Sequence, residues 1–139
     1  MNSIEREITI AAPVERVWDI VTRPEHMGAW FGDAGASRAG DTITMAWKEH
    51  GEAELRVVRE EAPHVFAYRW DANDPGIGDT LVEFTLTSEG DGTRLKVVES
   101  GWDELRTSAE RQAELRDGNV GGWQAELGDL ERYAQTVTV

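Results

Sequence analysis

The sequence contains no cysteine. Disulfide frameworks, thiol nucleophiles, thiolate zinc sites and iron–sulfur ligation are excluded together, and the absence suits a reducing compartment. Basic residues are scarce. Fourteen Lys and Arg face 27 Asp and Glu, a formal charge of −13. So acidic a body repels phosphate backbones and anionic membrane surfaces, so neither nucleic acid nor a membrane is expected as a partner. No apolar run reaches the 18 or so residues that a membrane-spanning helix needs. The opening Met1-Asn2-Ser3-Ile4-Glu5-Arg6-Glu7 lacks the apolar centre of a signal peptide, so a soluble, cytoplasmic protein is expected. Histidine is limited to His26, His50 and His64, in or beside expected turns. No HExxH, His-x-His or helically spaced pair occurs, so no metal is expected. Nucleotide loops and the G-x-S-x-G elbow are absent as well, and no cofactor is implied.

What the chain does have is tryptophan. Trp18, Trp30, Trp47, Trp70, Trp102 and Trp123 are spread over 139 residues, a length that suits one domain spanning 1–139. Large rings can fill a core or wall a cavity.

The patterning predicts an α+β chain. Ile4, Arg6, Ile8 and Ile10 alternate with Glu5, Glu7 and Thr9, the mark of a half-buried strand. Pro13 opens a short helix carrying Val14, Val17, Trp18 and Val21, and a second short helix is expected from Pro24 to about Trp30. A loop follows through Gly35. Five strands then succeed one another at Thr42–Lys48, Glu52–Glu60, Val65–Asp71, Thr80–Thr87 and Thr93–Ser100. They are joined by turn-like Lys48–Gly51, Glu61–His64, Asp71–Asp79 and Glu89–Gly92. Beyond Asp103 the period changes. Val120, Trp123, Leu127, Leu130 and Ala134 form one stripe on a long helix. Gly118, Gly121, Gly122 and Gly128 interrupt its composition. They would allow close approach of a neighbour, bend the helix, or mark a break near Gly118 after a shorter helix at Glu104–Leu115.

The sheet must cover its apolar face, and the last helix has the length to do it. The faces bearing Met45, Trp47, Phe66, Tyr68, Trp70 and Phe84 are expected to point into the wedge between them, with the loop Trp30 to Gly40 and the acidic stretch Asp103 to Asp117 rimming its mouth. Glu99 shares a strand face with Leu95 and Val97. If that face is interior, burial would raise its pKa and make it a ligand-orienting partner or a general acid/base. Otherwise it lies at the strand's end and reaches solvent or pairs with an arginine. Tyr68 is the second polar candidate, or else a core ring with a satisfied hydroxyl.

Four motifs in order resemble a known family: Ile8-x-Ile10-Ala11-Ala12-Pro13-x-x-x-Val17-Trp18, Pro24-Glu25-x-x-x-x-Trp30-Phe31, Val98-Glu99-Ser100-Gly101-Trp102 and Gly122-Trp123-x-x-x-Leu127-x-x-Leu130. Together they look like the SRPBCC (START and birch-pollen-allergen) superfamily, and within it the branch homologous to the activator of the heat-shock-protein-90 ATPase. The resemblance implies a helix-grip fold, a curved antiparallel sheet of six or seven strands around a long C-terminal helix. It also implies a hydrophobic cavity between them. Members bind lipids, sterols or polyketides, and some catalyse cyclisation or hydration. The expected ligand-binding residues are Trp30, Phe31, Met45, Trp47, Phe66, Tyr68, Trp70, Phe84, Glu99, Trp102, Trp123 and Leu127. The expected partner is a small apolar or aromatic molecule. A chaperone as partner, and an enzyme working through Glu99 or Tyr68, are the alternatives. Monomer and homodimer both remain open.

Overall fold

The computed structural model describes residues 3–49, 51–71 and 76–137. Among them seven strands form one antiparallel sheet: β1 Ser3–Ile10, β2 Ala36–Ala39, β3 Thr42–Trp47, β4 Gly51–Glu61, β5 Val65–Trp70, β6 Thr80–Glu89 and β7 Gly92–Ser100. The helices are α1 Val14–Thr22, α2 Pro24–Trp30 and α3 Ala109–Val137, with one 3₁₀ turn at Trp102–Glu104. The spatial order is β1-β7-β6-β5-β4-β3-β2. Hairpins link β2 through β7 in succession, and β1 crosses over to pair with β7. This is the expected α+β helix-grip arrangement.

Each element follows from its residues. Along β6 and β7 alternate side chains are buried: Thr80, Val82, Phe84 and Leu86, then Thr93, Leu95, Val97 and Glu99. Period two places these sets on one face, where α3 covers them. Trp123, Leu127, Leu130 and Ala134 are the buried stripe of α3. Burying each large apolar side chain contributes roughly 1.5–3 kcal/mol. The alternation of β4 slips at a bulge between Val57 and Arg59, which leaves Val58 55% exposed. α1 and α2 close one end of the sheet and deliver Phe31 to it. Gly32 is needed there, because a Cβ would stand 2.7 Å from the Met45 sulfur and 2.8 Å from the Ala46 carbonyl oxygen.

Two expectations are corrected. Residues 36–39 belong to strand β2 rather than to a loop. Ala-Ser-Arg-Ala carries no alternation of large apolar groups, so no pattern marks it. It pairs in register from Ala36 with Met45 to Ala39 with Thr42, around a tight turn in which Gly40 takes a φ of 61°. The second correction concerns α3, which runs unbroken through Gly118, Gly121 and Gly122. A Cβ at any of these three would meet nothing within 4 Å, so they serve no close approach, and Gly128 meets only the Arg132 side chain. The expected connections at Lys48–Gly51 and Asp71–Asp79 lie in part outside the described residues, at His50 and at 72–75.

Candidate functional site

The register of the sheet assembles an unusual polar centre. Glu99 lies opposite Val82, and Thr80 stands two residues further along β6, directly opposite Trp70. Alternation therefore puts Trp70, Thr80 and Glu99 on the covered face. Glu99 is 0% exposed. Its Oε2 accepts from Trp70 Nε1 at 2.9 Å and from the Thr80 hydroxyl. Its Oε1 accepts from Trp123 Nε1 at 2.8 Å and from Asn119 Nδ2 at 2.9 Å. One oxygen is thus bound to the sheet and the other to α3. Asn119 and Trp123, four residues apart, share a helix face. Trp102 Nε1 adds a bond of 3.1 Å to the Glu99 carbonyl. Four side-chain donors suit a carboxylate, which only accepts, and bonds to a charged acceptor are the stronger kind. The expectation that Glu99 faces inward is met. The alternatives, solvent or an arginine, are not what the fold provides.

Over this centre the rings pack on one another. Phe31 stacks on Trp123 at 5.7 Å between centroids and on Trp30 at 5.2 Å, and lies 5.5 Å from Trp70. Trp47 meets Phe31 edge-on, Phe84 meets Trp123 edge-on, and Tyr68 meets Trp70 edge-on at 5.6 Å. The rings thus fill part of the expected wedge themselves, because contact between rings gains dispersion and buried area that an empty gap would forgo. Among the described residues, two clefts beside these rings share Phe31 and Glu126. The smaller, about 100 Å³, is lined by Phe31, Trp70, Asn119, Gly122, Trp123 and Glu126. The larger, about 310 Å³, is lined by Ala29, Trp30, Phe31, Gly32, Asp33, Trp47, Glu126, Asp129 and Arg132.

The sequence-predicted residues divide accordingly. Trp30, Phe31, Trp47, Trp70 and Trp123 line the clefts. Met45, Phe66, Tyr68, Phe84 and Leu127 are buried core, and Phe66 turns toward Trp18 of α1. Trp102 lines a separate cleft of about 270 Å³ with Asp103, Gln112, Arg116 and Asp117, so the stretch 103–117 borders that opening and not the two clefts at Phe31. Asn119, Thr80 and Glu126 escaped the sequence reading, which singled out Gly122 only as a helix glycine and a motif position. Asn119 and Glu126 stand four before and three after Trp123, a helical spacing that could have disclosed them. Thr80 emerges only from strand register.

Two polar atoms here are buried without a partner among the described residues, the Tyr68 hydroxyl and Glu126 Oε2. Burial, then the charges of Glu99 and Glu126, push the Tyr68 phenol well above its ordinary range. Burial, then Asp129 and Asp33, raise the Glu126 carboxyl from 4.5 to about 7. His26 lies within α2 and its Nδ1 is 2.7 Å from the Tyr133 hydroxyl. His64 sits exposed in a turn, and His50 is outside the described residues. Among the described residues no three His, Asp or Glu side chains are grouped to hold a metal ion, and no helix is long and apolar enough to cross a membrane.

Comparison with known proteins places this geometry in context. The profile of the family described as Activator of Hsp90 ATPase homolog 1-like protein matches residues 11–135. No curated protein matches the sequence. Protein MLL2253 from Mesorhizobium loti superposes with a TM-score of 0.79 at 23% identity, over 96% of this chain and 97% of that one. DynU16, a protein in the dynemicin biosynthetic locus, gives 0.73 at 25% identity, over 98% of this chain and 48% of its own. The Aha1 dimer from Colwellia psychrerythraea gives 0.75 at 20% identity, over 94% of each chain.

Proposed function

This chain belongs to the family of Activator of Hsp90 ATPase homolog 1-like proteins, and from that premise we propose that it binds a small apolar or aromatic molecule where α3 meets the sheet. The observation that carries the reading is the open side of Gly122. Apart from its chain neighbours and the adjoining helix backbone, no atom lies within 4 Å of where its Cβ would stand, and Gly122 lines a cleft with Phe31, Trp70 and Trp123. A glycine in mid-helix costs up to about 1 kcal/mol relative to alanine, and here it keeps open a ring-walled cleft that a larger side chain would occupy. A flat ligand would gain stacking contacts and bury apolar area, at about 25 cal/mol per Å². The place of DynU16 in a biosynthetic locus supports a small-molecule ligand. Absence of cysteine fits a reducing compartment such as the cytoplasm.

Within this reading Glu99 is an anchor. Its four donors take up its lone-pair positions, so none is left over for a substrate proton. That favours binding over acid/base catalysis through Glu99. The test is titration of tryptophan fluorescence with an aromatic panel, in the native chain and in Gly122→Leu. Saturable quenching that is lost in a stably folded Gly122→Leu supports the proposal. Quenching identical in both proteins excludes this cleft.

The family description, with the charge of −13, supports a second reading, a protein-interaction module that acts on a chaperone ATPase through a basic partner surface. Salt-sensitive binding to Hsp90 with stimulated ATP hydrolysis would support it. Unchanged hydrolysis at saturating protein would exclude it.

A further inference from the structure

The larger cleft, of about 310 Å³, has walls of two kinds: rings from Trp30, Phe31 and Trp47, and carboxylates from Asp33, Glu126 and Asp129. Its donors are already engaged. Trp30 Nε1 donates to the Ile20 carbonyl at 2.8 Å, and Trp47 Nε1 to the Phe31 carbonyl at 3.0 Å. The backbone N–H groups of Phe31 and Gly32 go to the Met27 carbonyl, and that of Asp33 to the Ala46 carbonyl. Arg132 is held by Asp129, and 72% of its side chain is exposed. The acceptors are in the opposite condition. Glu126 Oε2 is buried with no donor among the described residues. Asp33 Oδ1 takes only a backbone N–H, that of Lys48, at 2.7 Å.

This inventory selects a ligand by its charge. An anion would meet three carboxylates, and the arginine on this cleft is already paired and largely in solvent. A neutral ring would stack and leave Glu126 without a donor. An ammonium group donates to a carboxylate, and a ring face attracts a cation through the negative charge above its plane. With the indole N–H groups engaged, such faces are what Trp30 and Trp47 have left to offer. We propose that the larger cleft holds the ammonium group of an aromatic or apolar amine, with Glu126 as its acceptor and the charges of Asp33 and Asp129 adding to the attraction. Burial, then Asp129 and Asp33, raise the Glu126 carboxyl to about 7, and a cation placed among these groups favours its ionised form, so binding displaces the proton. Phe31 and Glu126 also line the smaller cleft, where the apolar part of the same molecule lies beside Gly122. This rests on the ligand-binding reading above and names the ligand class for it.

The discriminating experiment compares naphthylmethylamine, naphthylmethanol and naphthoate, which share a ring system and differ in charge, by calorimetric titration. The proteins are the native chain, Glu126→Gln, Asp33→Asn and Glu110→Gln. Glu110 is exposed in the first turn of α3 and lines neither cleft, so its variant removes one charge from the total of −13 without touching the site. The amine is expected to bind the native protein at least about tenfold more tightly than the alcohol, with naphthoate weakest, as befits a charge-assisted bond beside ring faces. That preference should fall by several-fold in Glu126→Gln and less in Asp33→Asn, and should stay as it is in Glu110→Gln. Glu126→Gln keeps the side chain's shape, so it remains a valid arm if Asp33→Asn disturbs the loop. Equal affinities for amine and alcohol in the native protein would overturn selection of a cation and leave the binding of an aromatic molecule standing. A preference that survives Glu126→Gln, or that falls equally in Glu110→Gln, would also overturn it, because overall charge would then account for the attraction. Failure of all three probes to bind would remove both proposals.

Discussion

Trp123 of α3 donates its indole N–H to Glu99 of β7 at 2.8 Å, and neither group is exposed by more than 3%. A helix and a sheet that otherwise meet mainly through apolar side chains are thereby joined by a buried acceptor. Trp70 completes the arrangement from the sheet side at 2.9 Å. Removing the acceptor strands the indole N–H groups of Trp70 and Trp123 and the Thr80 hydroxyl inside the core.

Glu99→Gln should therefore destabilise the fold although it changes shape little. The amide offers one acceptor oxygen and one N–H₂ group, so two of the four donors lose their partner. Each buried group left unpaired costs about 1–3 kcal/mol, which gives a loss of about 2–6 kcal/mol for the two. Urea denaturation followed by tryptophan fluorescence measures it. A midpoint equal to that of the native chain would refute the anchoring role.

Tyr68→Phe should act in the opposite direction. The hydroxyl is buried without a partner, so its removal relieves desolvation and keeps the ring contacts to Trp70 and Phe84. A gain of about 1 kcal/mol is expected in the absence of ligand. Thermal unfolding of the two proteins side by side checks it. A loss of more than this amount would show that the hydroxyl is satisfied in solution.

Glu126 makes stability depend on pH. Its carboxyl is raised from 4.5 to about 7 by burial and by Asp129 and Asp33, while Arg132, on the same cleft, is engaged by Asp129. The folded chain therefore holds a proton that the unfolded chain has released. Across pH 4.5 to 7 the folded state binds more protons, so the stability supplied by this group is complete below 4.5 and is lost as pH rises to 7. Denaturant midpoints over that window should fall for the native chain relative to Glu126→Gln. A constant difference between the two would contradict the shift.

The glycines of α3 and of the loop after α2 should respond with opposite signs. Gly118→Ala and Gly121→Ala place a methyl group in open space and each should stabilise by about 0.5–1 kcal/mol. Gly32→Ala sets a methyl group 2.8 Å from the Ala46 carbonyl oxygen and should destabilise through overpacking, by about 1–3 kcal/mol. Paired chemical denaturation of the three variants tests this, and stabilisation by Gly32→Ala would sink it.

Much of the fold was legible before any coordinates. Period two in Thr80–Thr87 and in Thr93–Ser100 marks β6 and β7, and period 3.6 from Trp123 to Ala134 marks the buried stripe of α3. These signals are local, because side-chain direction depends only on the backbone repeat. β2 was illegible for the converse reason: its pairing with β3 runs through backbone groups that every residue carries.

The sequence by itself set Glu99 on the strand face of Leu95 and Val97, and left open whether it turned inward or reached solvent at the strand's end. Only the tertiary structure decided what Glu99 meets there. Trp70, Thr80, Asn119 and Trp123 come from three separate elements. Their convergence depends on strand register and on how α3 is seated, which packing over the whole core sets and no local pattern encodes. The same holds for the rings. Their number and face were written in the chain, but whether they enclose a void or close on one another was decided by helix–sheet distance, and here they close down to two clefts around Phe31 and Glu126.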